Sequence, residues 1–226
     1  MPTVLLVRHG QASFGASNYD ALSARGIEQA ELLSGDLARR GIRIARIVTG
    51  TLERQRHTAV PIAALADVST TVDRRWDEYD ADEILARHSD TAVRLEHPST
   101  PVPTLTPAEF QDLLEGALLA WVAAGAGEQT IESWPEFYAR ANAALDEFAG
   151  ELGPGETGLV CTSGGVLAAI CVRLLAVPDR TFLEFNRVTA NSGVTKVICG
   201  RRGTSLVSFN EHGHLERPEG SLVTYR

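Results

Sequence analysis

"LLVRHGQASFG" (residues 5–15) is the stretch on which the fold turns. The apolar run Val4–Val7 has the length and composition of a buried strand, and it stops abruptly at Arg8, His9 and Gly10. A second stretch, "VCTSGGVLAAI" (160–170), has the same layout. An apolar run leads into Thr162, Ser163, Gly164 and Gly165, and then into an apolar segment of helical character. Strands that end in small or polar residues just ahead of a helix are the pattern of an open α/β sheet, whose ligands gather at the carboxyl ends of the strands.

Around these two stretches, β-rich apolar pieces fall at Val4–Val7, Ile44–Thr49, Ser69–Asp73, Gly158–Thr162, Val194–Ile198 and Leu206–Asn210. Helical patterns lie between them at Ala24–Arg40, Leu52–Ala66, Ala108–Ala126, Trp134–Gly150 and Val166–Ala176. Strands separated by helices predict an α/β fold: a mostly parallel central sheet of about six strands with helices on both faces. Ser133-Trp134-Pro135-Glu136 reads as a capping box with proline in the first turn, and Gly41 and Gly150 as helix stops.

A chain of 226 residues suits one domain, 1–226, with a small cap or insertion around 80–130. The segment Asp80–Thr106 is less regular, carries Pro98, Pro101 and Pro103, and is expected to lie over the functional edge of the sheet. No apolar run is long enough to span a bilayer, and the N-terminal "MPTVLLVRHG" has no basic leader, so neither a membrane span nor a secretory signal is expected. Cys161, Cys171 and Cys199 are odd in number and lack metal or redox spacing, which predicts reduced thiols in a cytoplasm. The net charge of −8 argues against a broad basic face for nucleic acid.

Three strand ends can meet at one phosphate-sized site. Arg8, His9 and Gly10 follow the first strand. Thr162 to Gly165 follow another and open a helix, whose free N–H groups and partial positive charge suit an anion. Arg54 falls in the first turn of the helix after the Ile44–Thr49 strand. Taken alone, Arg-His-Gly is a weak signal, because a strand-end histidine is often a structural hydrogen-bonding residue.

The surrounding segments add to it. "LLVRHGQA" (5–12), "LSARGIEQA" (22–30), "TGTLERQRHTA" (49–59), "RRWDEYD" (74–80) and "SFNEHGHL" (208–215), taken in that order, resemble the successive signatures of the histidine phosphatase superfamily, the phosphoglycerate-mutase-like proteins. The resemblance runs nearly end to end. It implies that His9 attacks phosphorus to give a phosphohistidine that water hydrolyses, and that Arg8 and Arg54 bind the phosphoryl oxygens. It also implies that Glu78 protonates the leaving oxygen, that the substrate is a small phosphorylated metabolite releasing inorganic phosphate, and that no metal or cofactor is needed.

The residue chemistry is compatible with those roles. A nucleophilic imidazole must be neutral, with its other N–H fixed by an acceptor. Arginines fork onto phosphoryl oxygens as charge-assisted donors, and phosphoryl transfer needs mainly positioning and charge stabilisation. Asp77, Asp80, Asp82 and Glu83 are rivals to Glu78 within the same charged run.

Two positions depart from the family pattern. The later strand normally ends in a second histidine, and here that place holds Ser163; an asparagine expected five residues after Arg-His-Gly is Gly15. Serine donates only a neutral hydrogen bond, about half as strong as a charged one. Losing one preorganised donor costs about 10²–10³ in rate in another enzyme class, so a slow enzyme is expected. Ser163 and Gly164 are candidate phosphate ligands; the alternative for Ser163 is a buried helix cap. His57, one turn after Arg54, is the best substitute histidine, and His88 and His97 fall in the expected cap. His212 and His214 form an HGH turn without the companions a metal site needs.

Between Asp73 and Glu96 four arginines face eight carboxylates, a rim that should repel a bisphosphorylated substrate. A phosphatase is therefore expected ahead of a phosphoglycerate mutase. The alternative from another class is a phosphate-binding or regulatory protein with little turnover.

Overall fold

The computed structural model describes residues 1–13, 20–88, 107–127, 132–218 and 220–225. Six strands form one sheet: β1 (Thr3–Arg8), β2 (Arg46–Thr49), β3 (Thr70–Val72), β4 (Thr157–Thr162), β5 (Val194–Gly200) and β6 (Gly203–Glu211), in the spatial order β3-β2-β4-β1-β5-β6. Among the described residues there are seven α-helices. They are α1 (Ala24–Arg39), α2 (Glu53–Ala66), α3 (Ala81–His88), α4 (Pro107–Ala124), α5 (Trp134–Gly150), α6 (Gly164–Leu175) and α7 (Phe182–Val188). No helix of the described residues is long and apolar enough to cross a membrane.

The sheet is mixed, which corrects the expectation of a mostly parallel one. β3, β2, β4 and β1 run parallel, whereas β5 pairs antiparallel with β1 and β6 antiparallel with β5. Connection length accounts for the β5–β6 pair. β5 and β6 are joined across Arg201 and Arg202, with Gly203 at φ +110°, and a link that short cannot make the crossover that parallel neighbours need. Two further elements escaped the sequence pattern: α3 and α7, of eight and seven residues, too short to show a helical period. The proline-containing part of the expected cap, with His97, and also Gly15, lie outside the described residues.

Period-two alternation in the inner strands sends side chains to both faces. Leu5, Val7, Ile47, Leu159 and Cys161 pack against α1 and α2 through Leu33, Leu37, Ala59 and Ile62. Val4, Leu6, Val48 and Val160 share the opposite core with Phe137, Leu145, Leu167 and Ile170 of α5 and α6. Helices therefore cover both faces. The Ser133–Glu136 capping box is formed, with the Ser133 N–H donating to Glu136 Oε2 at 2.8 Å, and α5 starts where the sequence placed it.

Strand register brings the three critical ends level, pairing Arg8 with Thr162 and Thr49 with Cys161. A close backbone contact then fixes the loop after β1. A Cβ on Gly26 would overlap the Gln11 carbonyl oxygen, and one on Gly10 would overlap the Gly26 carbonyl oxygen. Gly26→Ala sets a helix-propensity gain of about 1 kcal/mol against overpacking of about 1–3 kcal/mol. The clash is with backbone, which cannot rotate away, so a net loss is expected. A thermal melt of the variant should show a lowered Tm; an unchanged or raised Tm would contradict the close approach.

Candidate active site

His9 is held along its main chain and its ring. Its N–H donates to the Thr162 carbonyl at 2.8 Å, and its carbonyl accepts from Asn191 Nδ2 at 3.1 Å. The next N–H, that of Gly10, donates to Thr58 Oγ1 at 2.9 Å. His9 Nδ1 lies 2.8 Å from the Gly10 carbonyl oxygen, which can only accept, so Nδ1 carries the proton and Nε2 keeps its lone pair. Arg54 Nε donates to that Nε2 at 3.2 Å. Burial, reinforced by the charges of Arg54 and Arg8, holds the ring's pKa well below the usual histidine range, against a smaller opposing effect of the Gly10 bond. The imidazole is thus held in one tautomer, with the Nε2 electron pair unprotonated and accepting from Arg54.

The two arginines come from different strand ends and are themselves anchored. Arg8 donates through Nη1 to the Tyr225 carbonyl at 2.7 Å and to the Thr189 carbonyl. Arg54 Nη1 pairs with Asp20 Oδ1 at 2.6 Å, and the other Asp20 oxygen accepts the Glu53 N–H at 2.7 Å. Such anchoring fixes two cations beside His9, as binding a phosphoryl group requires.

Glu78 enters from the segment after β3. Its Oε2 accepts the Gly165 N–H at 3.1 Å, at the start of α6, and a Cβ on Gly165 would overlap both Glu78 Oε1 and the Tyr79 ring. Burial raises its pKa, opposed by the Gly165 bond and by the charges of Arg54 and Arg8. Arg8, His9, Arg54 and Glu78 all line one cavity of about 1260 Å³, which also takes in Asn186 and Tyr225.

The family model of the histidine phosphatase superfamily (branch 1) matches residues 4–212. The chain belongs to that superfamily.

Solved structures share the fold at low identity. Bacillus stearothermophilus YhfR superposes with a TM-score of 0.71 at 18% identity, covering 96% of this chain and 100% of its own. A mutant phosphoserine phosphatase from Entamoeba histolytica, in complex with phosphoserine, gives 0.67 at 19%, covering 96% and 100%. A mycobacterial glucosyl-3-phosphoglycerate phosphatase in complex with VO3 gives 0.65 at 23%, covering 92% and 98%. No curated protein matches.

Within this histidine phosphatase fold, the rivals to Glu78 have other commitments or surroundings. Asp77 accepts from Thr51 with both oxygens, at 2.6 Å from its N–H and 2.7 Å from its Oγ1. Asp80 accepts the Glu83 N–H at 3.0 Å near the start of α3, and Asp82 and Glu83 are exposed at the cavity mouth. His57 is exposed beside Glu53, 3.6 Å away, and it and His88 are absent from the cavity wall.

Ser163 and Gly164 lie at the start of α6, with Gly164 beside the Arg8 guanidinium. Ser163 is fully buried at the N-terminus of α6, makes no capping bond with its side chain, and accepts from Gln55 Nε2 at 2.8 Å. Neither residue lines the cavity; Gly164 lies behind Arg8, where a Cβ would crowd Asn186. Asn186, Asn191, Asp20, Gln55 and Tyr225 were missed in the sequence. They are common residue types; Gln55 falls inside the 49–59 segment and the others outside the quoted stretches, and their positions arise only from folding.

Proposed function

We propose that this chain is a phosphomonoesterase working through a phosphohistidine at His9. The observation that carries the reading is the His9 ring itself: neutral, fixed in one tautomer by Gly10, and with Nε2 beside Arg54.

In this reading Arg8 and Arg54 hold the phosphoryl oxygens. Nε2 attacks phosphorus as the bond to the leaving oxygen breaks, and Glu78, whose pKa burial raises, delivers a proton to that oxygen. Water then attacks the phosphohistidine and gives a proton back to Glu78. Inorganic phosphate leaves, and the ring is neutral again. Ser163 and Gly164 stand where the resemblance places the second histidine and its neighbour. They contribute from behind Arg8 through the partial positive charge of the α6 terminus. The reaction requires no metal, and the substrate is a small phosphorylated metabolite of the cytoplasm.

The test is hydrolysis of p-nitrophenyl phosphate by the wild-type protein without added metal, with rapid quenching into alkali. Turnover is expected, together with enzyme-bound phosphate that survives base and is lost in acid, as phosphohistidine is. Phosphate binding without turnover would instead assign the protein to the phosphate-binding class. Turnover with no acid-labile phosphoenzyme would overturn the covalent route.

A further inference from the structure

Glu78 lies in a short segment whose three preceding carbonyls are each taken by a side chain from elsewhere. The Trp76 carbonyl accepts from Thr162 Oγ1 at 2.6 Å and from Gln55 Nε2 at 3.0 Å. The carbonyls on either side, of Arg75 and Asp77, both accept from Arg140 Nη1, at 2.8 and 2.9 Å. Among the described residues, the side-chain donor on the Asp77 carbonyl, the last before Glu78, is Arg140.

The guanidinium is itself locked. Its Nε and Nη2 each donate to a separate oxygen of Glu132 at 2.6 Å, and its carbon lies 4.9 Å from the centre of the Phe137 ring. One planar fork thus joins α5 to the segment that presents Glu78. A lysine offers a single point of charge and cannot span two carbonyls and a carboxylate.

We propose that Arg140 is a positioning residue for proton donation in the proposed phosphatase reaction. It sets the place of Glu78 by holding the main chain at residues 75 and 77, from a place on the wall of the same cavity. The inference rests on the proposed role of Glu78. A general acid acts only within hydrogen-bond reach of the leaving oxygen, and a displacement of about 1 Å can cost about 10²-fold. The means is geometric, through the two main-chain carbonyls that Arg140 holds.

The experiment compares kcat/KM for p-nitrophenyl phosphate and phenyl phosphate in the wild type, Glu78→Gln, Arg140→Met and Arg140→Lys. Nitrophenolate departs readily without a proton, whereas phenolate, the anion of an acid with a pKa of about 10, needs one. The ratio of the two constants is internal to each variant, so a partly unfolded preparation does not alter it. Arg140→Met is expected to lower the phenyl/nitrophenyl ratio by about 10- to 100-fold, in the same direction as Glu78→Gln, with Arg140→Lys between Arg140→Met and wild type. A lowered ratio in Glu78→Gln with an unchanged ratio in Arg140→Met would overturn the positioning role alone. An unchanged ratio in Glu78→Gln would overturn the acid assignment on which it stands.

Discussion

His9→Ala is expected to lower turnover of p-nitrophenyl phosphate by about 10⁴-fold or more, while phosphate affinity stays within about tenfold of the wild type. The kinetic loss follows from removing the atom that would form the covalent bond. In another enzyme class, removal of the nucleophile costs about 10⁶ in kcat. Retained affinity follows from the anchors of the arginines that remain once the Arg54–His9 bond is lost. Arg54 is fixed by Asp20, and Arg8 by the carbonyls of Thr189 and Tyr225. The His9 main chain is likewise held by Thr162 and Asn191, so the loop keeps its course when the ring is cut back. Steady-state rates and phosphate calorimetry on the two purified proteins check both halves. Equal turnover in the variant would place the chemistry on another residue.

Parts of this site were legible because they are local. Arg8, His9 and Gly10 declare themselves by breaking an apolar run, and Arg54 by opening the helix after a strand. A strand end and a helix start are enough to aim these residues at one place. Glu78 was read less sharply: Asp77 and Asp80 look equivalent in the sequence. The difference lies in what the fold supplies, Thr51 donors for Asp77 and a part-buried contact with the Gly165 N–H for Glu78. The strand–serine–glycine frame offers Ser163 as a phosphate ligand or as a buried helix cap. Its partner, Gln55, comes from a helix over a hundred residues away, and nothing in the sequence links the two. Arg140 is the extreme case. It acts on main-chain carbonyls, which every residue has, so no side-chain pattern near residue 75 announces it.

The antiparallel pairing of β5 with β6 is legible in the sequence. Seven residues separate the expected strands Val194–Ile198 and Leu206–Asn210, too few for a crossover helix, and that spacing alone favours an antiparallel pair.

Glu78→Gln carries the other large effect, and pH separates it from general damage. In the wild type, activity should fail on the acid side as His9 takes a proton and on the alkaline side as Glu78 loses one. Burial moves the two groups in opposite senses, His9 downward and Glu78 upward. A lowered histidine pKa keeps the nucleophile neutral further into acid. A raised glutamate pKa keeps the donor protonated further toward neutrality. Both shifts widen the working range, and a kcat/KM maximum in mildly acidic solution is expected. Glutamine matches glutamic acid in shape and does not titrate, so in Glu78→Gln the alkaline limb should vanish while the His9 limb stays. Loss of the proton donor should cost about 10²–10⁴ in kcat/KM for phenyl phosphate and less than about tenfold for p-nitrophenyl phosphate. The kcat/KM value covers steps only through departure of the leaving group, so slower hydrolysis of the phosphoenzyme does not blur the comparison. A variant that keeps the alkaline limb would move the donor's role to another group at the cavity, with Asp82 and Glu83 the next carboxylates to replace.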